Sequence, residues 1–322
     1  MGIFNGRQAR LLFAALVVLI IVGLAFAFFS LQKPDAPKKI TMGTFSKSVA
    51  QAPYLVAKNK GWLGEAAAKH GATTEYKVFE TLPAINEAFA TGKLDFVVEA
   101  DPPAITGKAI GAEVVIKDLL VTYVSEIVVP VGSGIASAKD FKGKKLAVLS
   151  GTSSHYVVSM LLKENGLLEQ DIQMFDMAPA DARVAFETGK IDAWAVWPPW
   201  IEQQILSGKG RAVNSGYFIQ VFIVGREKFV EENPALTKDL VQAINKAKIW
   251  VLENEEESQR IVADEIGLPL AVVREAWPEM DLNASVGENE MADLQKKADF
   301  LFEKGLIKNR VDVYSGFVSV VE

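Results

Sequence analysis

The octapeptide AFATGKLD at 88–95 returns 97 positions later as AFETGKID at 185–192, and each copy runs on into a proline pair, Pro102-Pro103 and Pro198-Pro199. A helix closed by Thr-Gly, then a basic residue and a strand, is a frequent α/β junction in which glycine takes the left-handed position past the helix end. One copy would say little, whereas two in corresponding places mark a duplicated unit. Outward from the first copy, short apolar runs alternate with helical patterns: KKITMG at 38–43, a helix at 53–60, TEYKVF at 74–79, a helix at 82–91, LDFVV at 94–98, a helix at 103–109 and EVVIKDL at 113–119. Around the second copy the order repeats, with KKLAVLS at 144–150, a helix at about 153–165, DIQMF at 171–175, a helix at 179–188 and IDAWAV at 191–196. Such alternation predicts a mainly parallel sheet covered by helices.

The apolar, β-branched and aromatic segments 123–131 and 217–224 bracket the second series and are expected to cross between two lobes. This divides the chain into a leader and linker at 1–37, a first lobe at 38–126 plus 218–322, and a second lobe at 127–217. From 227 onward the pattern is helical, with Met291, Leu294, Ala298 and Leu301 at helical spacing, and these helices should return to the first lobe.

Composition narrows the chemistry. The 322 residues are half hydrophobic and 23% charged, with ordinary glycine and proline content, which describes a folded protein with a sizeable core. Cysteine is absent, so disulfides, thiolate nucleophiles and iron–sulfur clusters are excluded. With only His70 and His155, a multi-histidine metal site cannot be assembled, and neither a metal nor a cofactor is expected. Residues 11–29 (LLFAALVVLIIVGLAFAFF) carry no charge, follow Arg7 and Arg10, and precede a linker rich in proline and lysine. At 1.5 Å per residue the run approaches the hydrocarbon thickness of a bilayer, and its basic flank sends the rest of the chain outward. A retained transmembrane anchor is the favoured reading, with signal-peptide cleavage after Ala25-Phe26-Ala27 as its competitor. The remaining chain carries 32 basic and 40 acidic side chains, which disfavours nucleic acid as a partner.

In an open α/β sheet, ligands bind beyond the carboxyl ends of the strands. The candidate loops are therefore 43–51, 99–103, 151–155 and 194–200. Thr152, Ser153, Ser154 and His155 open a helix whose N-terminal N–H groups suit an anion. Ser46 and Lys47 offer a hydroxyl and a cation to a sulfonate, phosphate or carboxylate. Trp197 can wall an apolar tail. Glu99 and Asp101 fit an anion pocket poorly, since a carboxylate repels a bound anion by roughly 1 kcal/mol at 4 Å in water and by more when desolvated. They are open to binding an amine, holding Lys47 or capping the following helix. No catalytic residue is assigned, because no nucleophile or metal-ligand cluster accompanies them.

PADARVAFETGKIDAWAVWPPW (179–200), GTSSHYVVSMLLKENGL (151–167) and EIGLPLAVV (265–273) resemble the periplasmic substrate-binding proteins of ABC importers, in the aliphatic sulfonate, taurine and nitrate group. The resemblance runs from about residue 39 to near the C-terminus. It implies a type II periplasmic binding protein: two Rossmann-like α/β lobes joined by two crossing strands, here behind an N-terminal transmembrane or signal helix. It also implies closure of the lobes on a small, anionic, sulfonate-like solute, delivery to a membrane permease with its ATPase, no enzymatic step, and a monomer in the periplasm or its extracytoplasmic equivalent. Ser153, Ser154, His155 and Trp197 fall on the family's ligand-loop positions, and the 99–103 loop on its first-lobe counterpart. That loop departs from the alkanesulfonate binders in being a residue shorter and carrying Glu99, while the 43–51 loop is longer. The alternatives are an enzyme of the pyrimidine-precursor synthase type, which shares the scaffold, a receptor for a nitrogen-containing or pyrimidine solute, and a signalling ectodomain.

Overall fold

A computed structural model describes residues 38–45 and 47–321. The apolar run at 11–29, with its choice between anchor and signal, lies outside the described residues, and among those described no helix is long and apolar enough to cross a membrane. Nine strands form one mixed sheet: β1 (Lys38–Phe45), β2 (Ala72–Phe79), β3 (Phe96–Ala100), β4 (Val114–Pro130), β5 (Lys145–Val148), β6 (Gln173–Asp176), β7 (Ala193–Val196), β8 (Gly210–Arg226) and β9 (Met280–Asp281). Their order is β2-β1-β3-β8-β4-β7-β5-β6, with β9 paired to β4. The β1/β3 pair at one end and the β5/β6 and β5/β7 pairs at the other are parallel. Between them β4 and β8 run antiparallel over nearly their whole length.

Those two strands differ from the sequence expectation. In place of a strand at 113–119 followed by a separate crossing, β4 is a single 17-residue strand, because nothing between Val114 and Pro130 interrupts it with glycine or proline. Three register shifts, between Ile116 and Asp118, Leu119 and Val121, and Val124 and Glu126, absorb its twist. Strand β8 begins at Gly210, earlier than the crossing at 217, since its first residues, GRAVNSG, are too polar to announce a strand. One end of β8 pairs with β3 and the end of β4 pairs with β7, so the long pair carries both halves of the sheet.

The repeated octapeptide does the same work twice. The helices Leu82–Ala90 and Pro179–Glu187 end at Thr91 and Thr188, and the glycines that follow are left-handed, at φ 66° for Gly92 and φ 70° for Gly189. The chain then enters β3, which passes directly into the helix Asp101–Ala109, or β7, which leads through Trp197-Pro198-Pro199 into the helix Trp200–Leu206. Alternation along the strands feeds layers on opposite faces: Leu146 and Val148 join one apolar cluster with Phe141 and Leu162, while Ala147 joins another with Phe186 and Trp194. Around β1 and β3, Ile40 and Met42 pack with Leu240, Ile244 and Val262 of the helices Pro234–Glu253 and Glu255–Ile266. On the other face Ile105 and Ile116 meet Leu294 and Leu301 of the helix Glu288–Glu303. The C-terminal helices thus cover the first half of the sheet, as their pattern predicts. Each such fully buried side chain contributes roughly 1.5–3 kcal/mol relative to exposure.

Gly225 of β8 stands opposite Phe96 in β3, where an added Cβ would lie 2.7 Å from a Val230 methyl carbon and 3.0 Å from the Phe96 ring. Gly225→Ala should therefore lower stability by about 1–3 kcal/mol, the usual cost of overpacking. Urea denaturation checks this, and an unchanged midpoint would contradict the packing described.

Candidate functional site

The carboxyl ends of β1, β3 and β7 converge with the middle of β4 and β8 on a cleft of about 580 Å³. Phe45, Glu99, Tyr123 and Val221 line it from the first half of the sheet, and Ser153, Ser154 and Trp197 from the second.

The second half supplies donors. Thr152 caps the helix Ser153–Glu164: its hydroxyl accepts from the His155 N–H at 3.4 Å and donates to the Leu149 carbonyl at 2.7 Å. The first main-chain bond of this helix runs from Tyr156 N–H to Thr152 O at 3.2 Å, so the Ser153 and Ser154 N–H groups precede the helical ladder. The Ser154 hydroxyl is 2% exposed and without a partner, and the buried indole N–H of Trp197 is likewise unpaired. Phe45 fixes the indole edge-on, with ring centres 5.7 Å apart. Together with the positive end of the helix dipole these unpaired donors suit an anionic group, and among the described residues no lysine or arginine lines the cleft. The first half offers no equivalent, because its facing helix, Asp101–Ala109, opens Asp-Pro-Pro and two of its first three residues lack an N–H.

The first half supplies an acid instead. Glu99, at the end of β3, is 5% exposed and its Oε2 has no hydrogen-bond partner. Burial alone pushes its carboxyl up to about 8.

Asp101 is not free for a ligand. It is fully buried, paired with Lys297, and bonded to the Ser153 hydroxyl at 2.6 Å and the Gln220 N–H at 3.3 Å. Lys297 also reaches Asp293 at 2.6 Å. Burial works against its ammonium, but the two carboxylates outweigh burial and hold its pKa above the ordinary value.

Of the residues singled out from sequence, Glu99, Thr152, Ser153, Ser154 and Trp197 meet at the cleft. Ser46 lies outside the described residues. Lys47 is exposed and lines a neighbouring cavity with Tyr54, Lys58 and Glu265, which shares Phe45 and Gln51 with the cleft. His155 turns away: its Nδ1 accepts from Gly151 N–H at 3.2 Å and its ring meets Phe300 edge-on at 5.8 Å. Burial lowers its pKa, favouring the neutral ring. Phe45, Gln51, Tyr123 and Lys297 were missed. Only Lys297 left a trace, standing among Met291, Leu294, Ala298 and Leu301 on an otherwise apolar stripe. Among the described residues no group of three or more acids and histidines could hold a metal.

Because Glu99 has a folded pKa above its unfolded one, its contribution to stability is full below the ordinary carboxylate range and is lost as pH rises through about 8. Glu99→Gln should accordingly raise the melting temperature, with a gain that grows between about pH 5 and about pH 9. A gain that shrinks with pH, measured by calorimetry, would contradict a buried, uncompensated carboxyl.

A family model described as NMT1/THI5 like matches residues 49–258. A putative aliphatic sulfonates-binding protein of Bacillus subtilis is 30% identical over 270 residues, covering 81% of each chain. Its Escherichia coli counterpart is 28% identical over 292 residues, covering 85% of this chain and 92% of the relative. The crystal structure of the periplasmic aliphatic sulphonate binding protein SsuA from Escherichia coli superposes with a TM-score of 0.75 at 26% identity, over 87% of this chain and 92% of that one. The geometry of two sheet halves meeting at a donor-lined cleft therefore agrees with the sequence comparison, and the chain belongs to the NMT1/THI5-like family.

Proposed function

We propose that the protein is the extracytoplasmic solute-binding component of an ABC importer and takes a small anionic organic solute, sulfonate-like in its head group, into the cleft. The observation that carries this is the pair of buried, unpartnered donors, Ser154 Oγ and Trp197 Nε1, at the N-terminus of the helix Ser153–Glu164. Leaving such groups unmet costs roughly 1–3 kcal/mol each, which a tetrahedral oxyanion offsets by accepting from both. The names of the relatives in Bacillus subtilis and Escherichia coli support the sulfonate assignment and the importer context.

In this reading residues 38–126 plus 218–322 form one lobe and 127–217 the other, hinged on the long β4/β8 pair. Closure on solute presents a surface to the permease and its ATPase. The protein acts as a monomer, held at the outer face of the cytoplasmic membrane through residues 11–29. The relatives in Bacillus subtilis and Escherichia coli are named as binding proteins, which supports a binding role over an enzymatic one.

Titration calorimetry with a panel of alkanesulfonates, nitrate and carboxylates tests the proposal. One class should bind, and Ser154→Ala should weaken it by roughly 1–3 kcal/mol while the ligand-free protein melts no lower than the wild type, because a buried unmet hydroxyl is removed. A panel that neither binds nor shifts the melting temperature, or a Ser154→Ala protein of unchanged affinity, would overturn it.

A further inference from the structure

Lys47 has the chemistry of an anion partner, and the cleft does not use it. It lines the neighbouring cavity, which is enclosed by the end of β1, by β2 and by the helices Ala52–Asn59 and Glu255–Ile266. Three lysines, Lys47, Lys58 and Lys77, line this cavity against one acid, Glu265. That surplus of positive charge stands in a chain that is acidic as a whole.

Ion pairing does not cancel the surplus. Glu265 is taken by Lys58 at 2.5 Å. Lys77 stands 4.0 Å from Glu75, a carboxylate outside the cavity lining that Lys39 already meets at 2.9 Å. Lys47 pairs with no acid among the described residues, and its backbone is left-handed at φ 49°. A residue with a Cβ holds that conformation only where its surroundings enforce it, and such positions concentrate at functional sites. Two phenols complete the lining. Tyr76 accepts from the Thr74 hydroxyl at 2.9 Å, which leaves its own O–H to donate. Burial is the largest influence on both Tyr54 and Tyr76 and raises their pKa values, keeping the pair protonated.

The cleft and this cavity meet at Phe45 and Gln51 but differ in charge. The cleft offers neutral donors, Ser154 Oγ and Trp197 Nε1, which suit a single negative charge. The cavity offers ammonium groups, whose attraction grows with each negative charge that a ligand carries. We propose that the cavity is a second, separate binding site, for a small oxyanion carrying two negative charges, such as sulfate, recognised by Lys47 and Lys77. Lys58 stays with Glu265 and balances it, so the acid does not repel the anion. Charge thereby sorts the ligands, the divalent anion going to the lysines and the monovalent one to the cleft. The lysines act on a dianion whatever solute the cleft takes.

The test is calorimetric titration of the full chain with sodium sulfate in Tris buffer, which contains no sulfonate, at an ionic strength held constant with sodium chloride. Sulfate should bind the wild type at a single site per chain. Lys47→Gln should weaken it roughly tenfold or more, the loss expected when one charge of a close pair is removed. Adding Lys77→Gln should remove detectable binding. Lys47→Arg, which keeps the charge, should stay within about threefold of the wild type, and Ser154→Ala within about twofold, because the dianion does not touch the cleft. A wild type that binds no sulfate, or a Lys47→Gln protein of unchanged sulfate affinity, would overturn the second site and leave the solute cleft standing. Loss of sulfate binding in Ser154→Ala would put the dianion in the cleft and overturn the second site equally. Failure of every sulfonate to bind, with sulfate still sensitive to Lys47, would overturn the reading of the cleft alone.

Discussion

The buried carboxylate of Asp101 ties together parts of the chain that are far apart in sequence. Its partners come from the helix Ser153–Glu164, from β8 through the Gln220 N–H, and from the C-terminal helix through Lys297. A carboxylate removed from water must be met on both oxygens, and here Oδ1 takes the Ser153 hydroxyl while Oδ2 takes the ammonium and a main-chain N–H. That network sets the geometry of the cleft. Glu99 stands two residues before Asp101 and Ser154 one residue after Ser153, so the bond across the cleft holds the acidic wall against the donor wall. A second tie lies further along the same helices, where Tyr156 meets Phe300 edge-on at 5.1 Å and Glu169 meets Lys304 at 2.6 Å.

The duplication seen in the sequence yields two halves with similar architecture and opposite chemistry. In both, a strand leads through a proline pair into a helix. After β3 the prolines follow Asp101 inside the first helical turn and remove its N–H donors, and after β7 they precede the helix Trp200–Leu206. Among the described residues Glu99 is the acidic side chain that the first half presents to the cleft. The helix Ser153–Glu164, whose first turn reads Ser-Ser-His, keeps its N–H groups.

Much of this was legible in the residues. The octapeptide repeat, the βα alternation and the helical C-terminal third each rest on local chemistry, namely a glycine past a helix end, period-two strands and apolar stripes. The length of β4 and β8 was not, because their bulges and polar stretches break the alternation that identifies a strand, and pairing to each other holds them extended. Of the residues singled out from their loops, Ser154 and Trp197 line the cleft. His155 does not line it, for a geometric reason: as the third residue of its helix it folds back on Gly151 and contributes to the cap. Lys47 reads as a natural anion partner by type, but it lines the neighbouring cavity that meets the cleft at Phe45 and Gln51 rather than the cleft itself. Lys297 is a lysine on an apolar stripe, and its partner stands 196 residues away, beyond the reach of any local pattern.

The proposed role of the cleft turns on what meets its two unpaired donors. In a crystal structure of the protein with ethanesulfonate, sulfonate oxygens should lie within hydrogen-bond distance of Ser154 Oγ and Trp197 Nε1, at ordinary separations of about 2.7–3.2 Å. A sulfonate bound elsewhere, with Ser154 and Trp197 still unpartnered, would overturn that role.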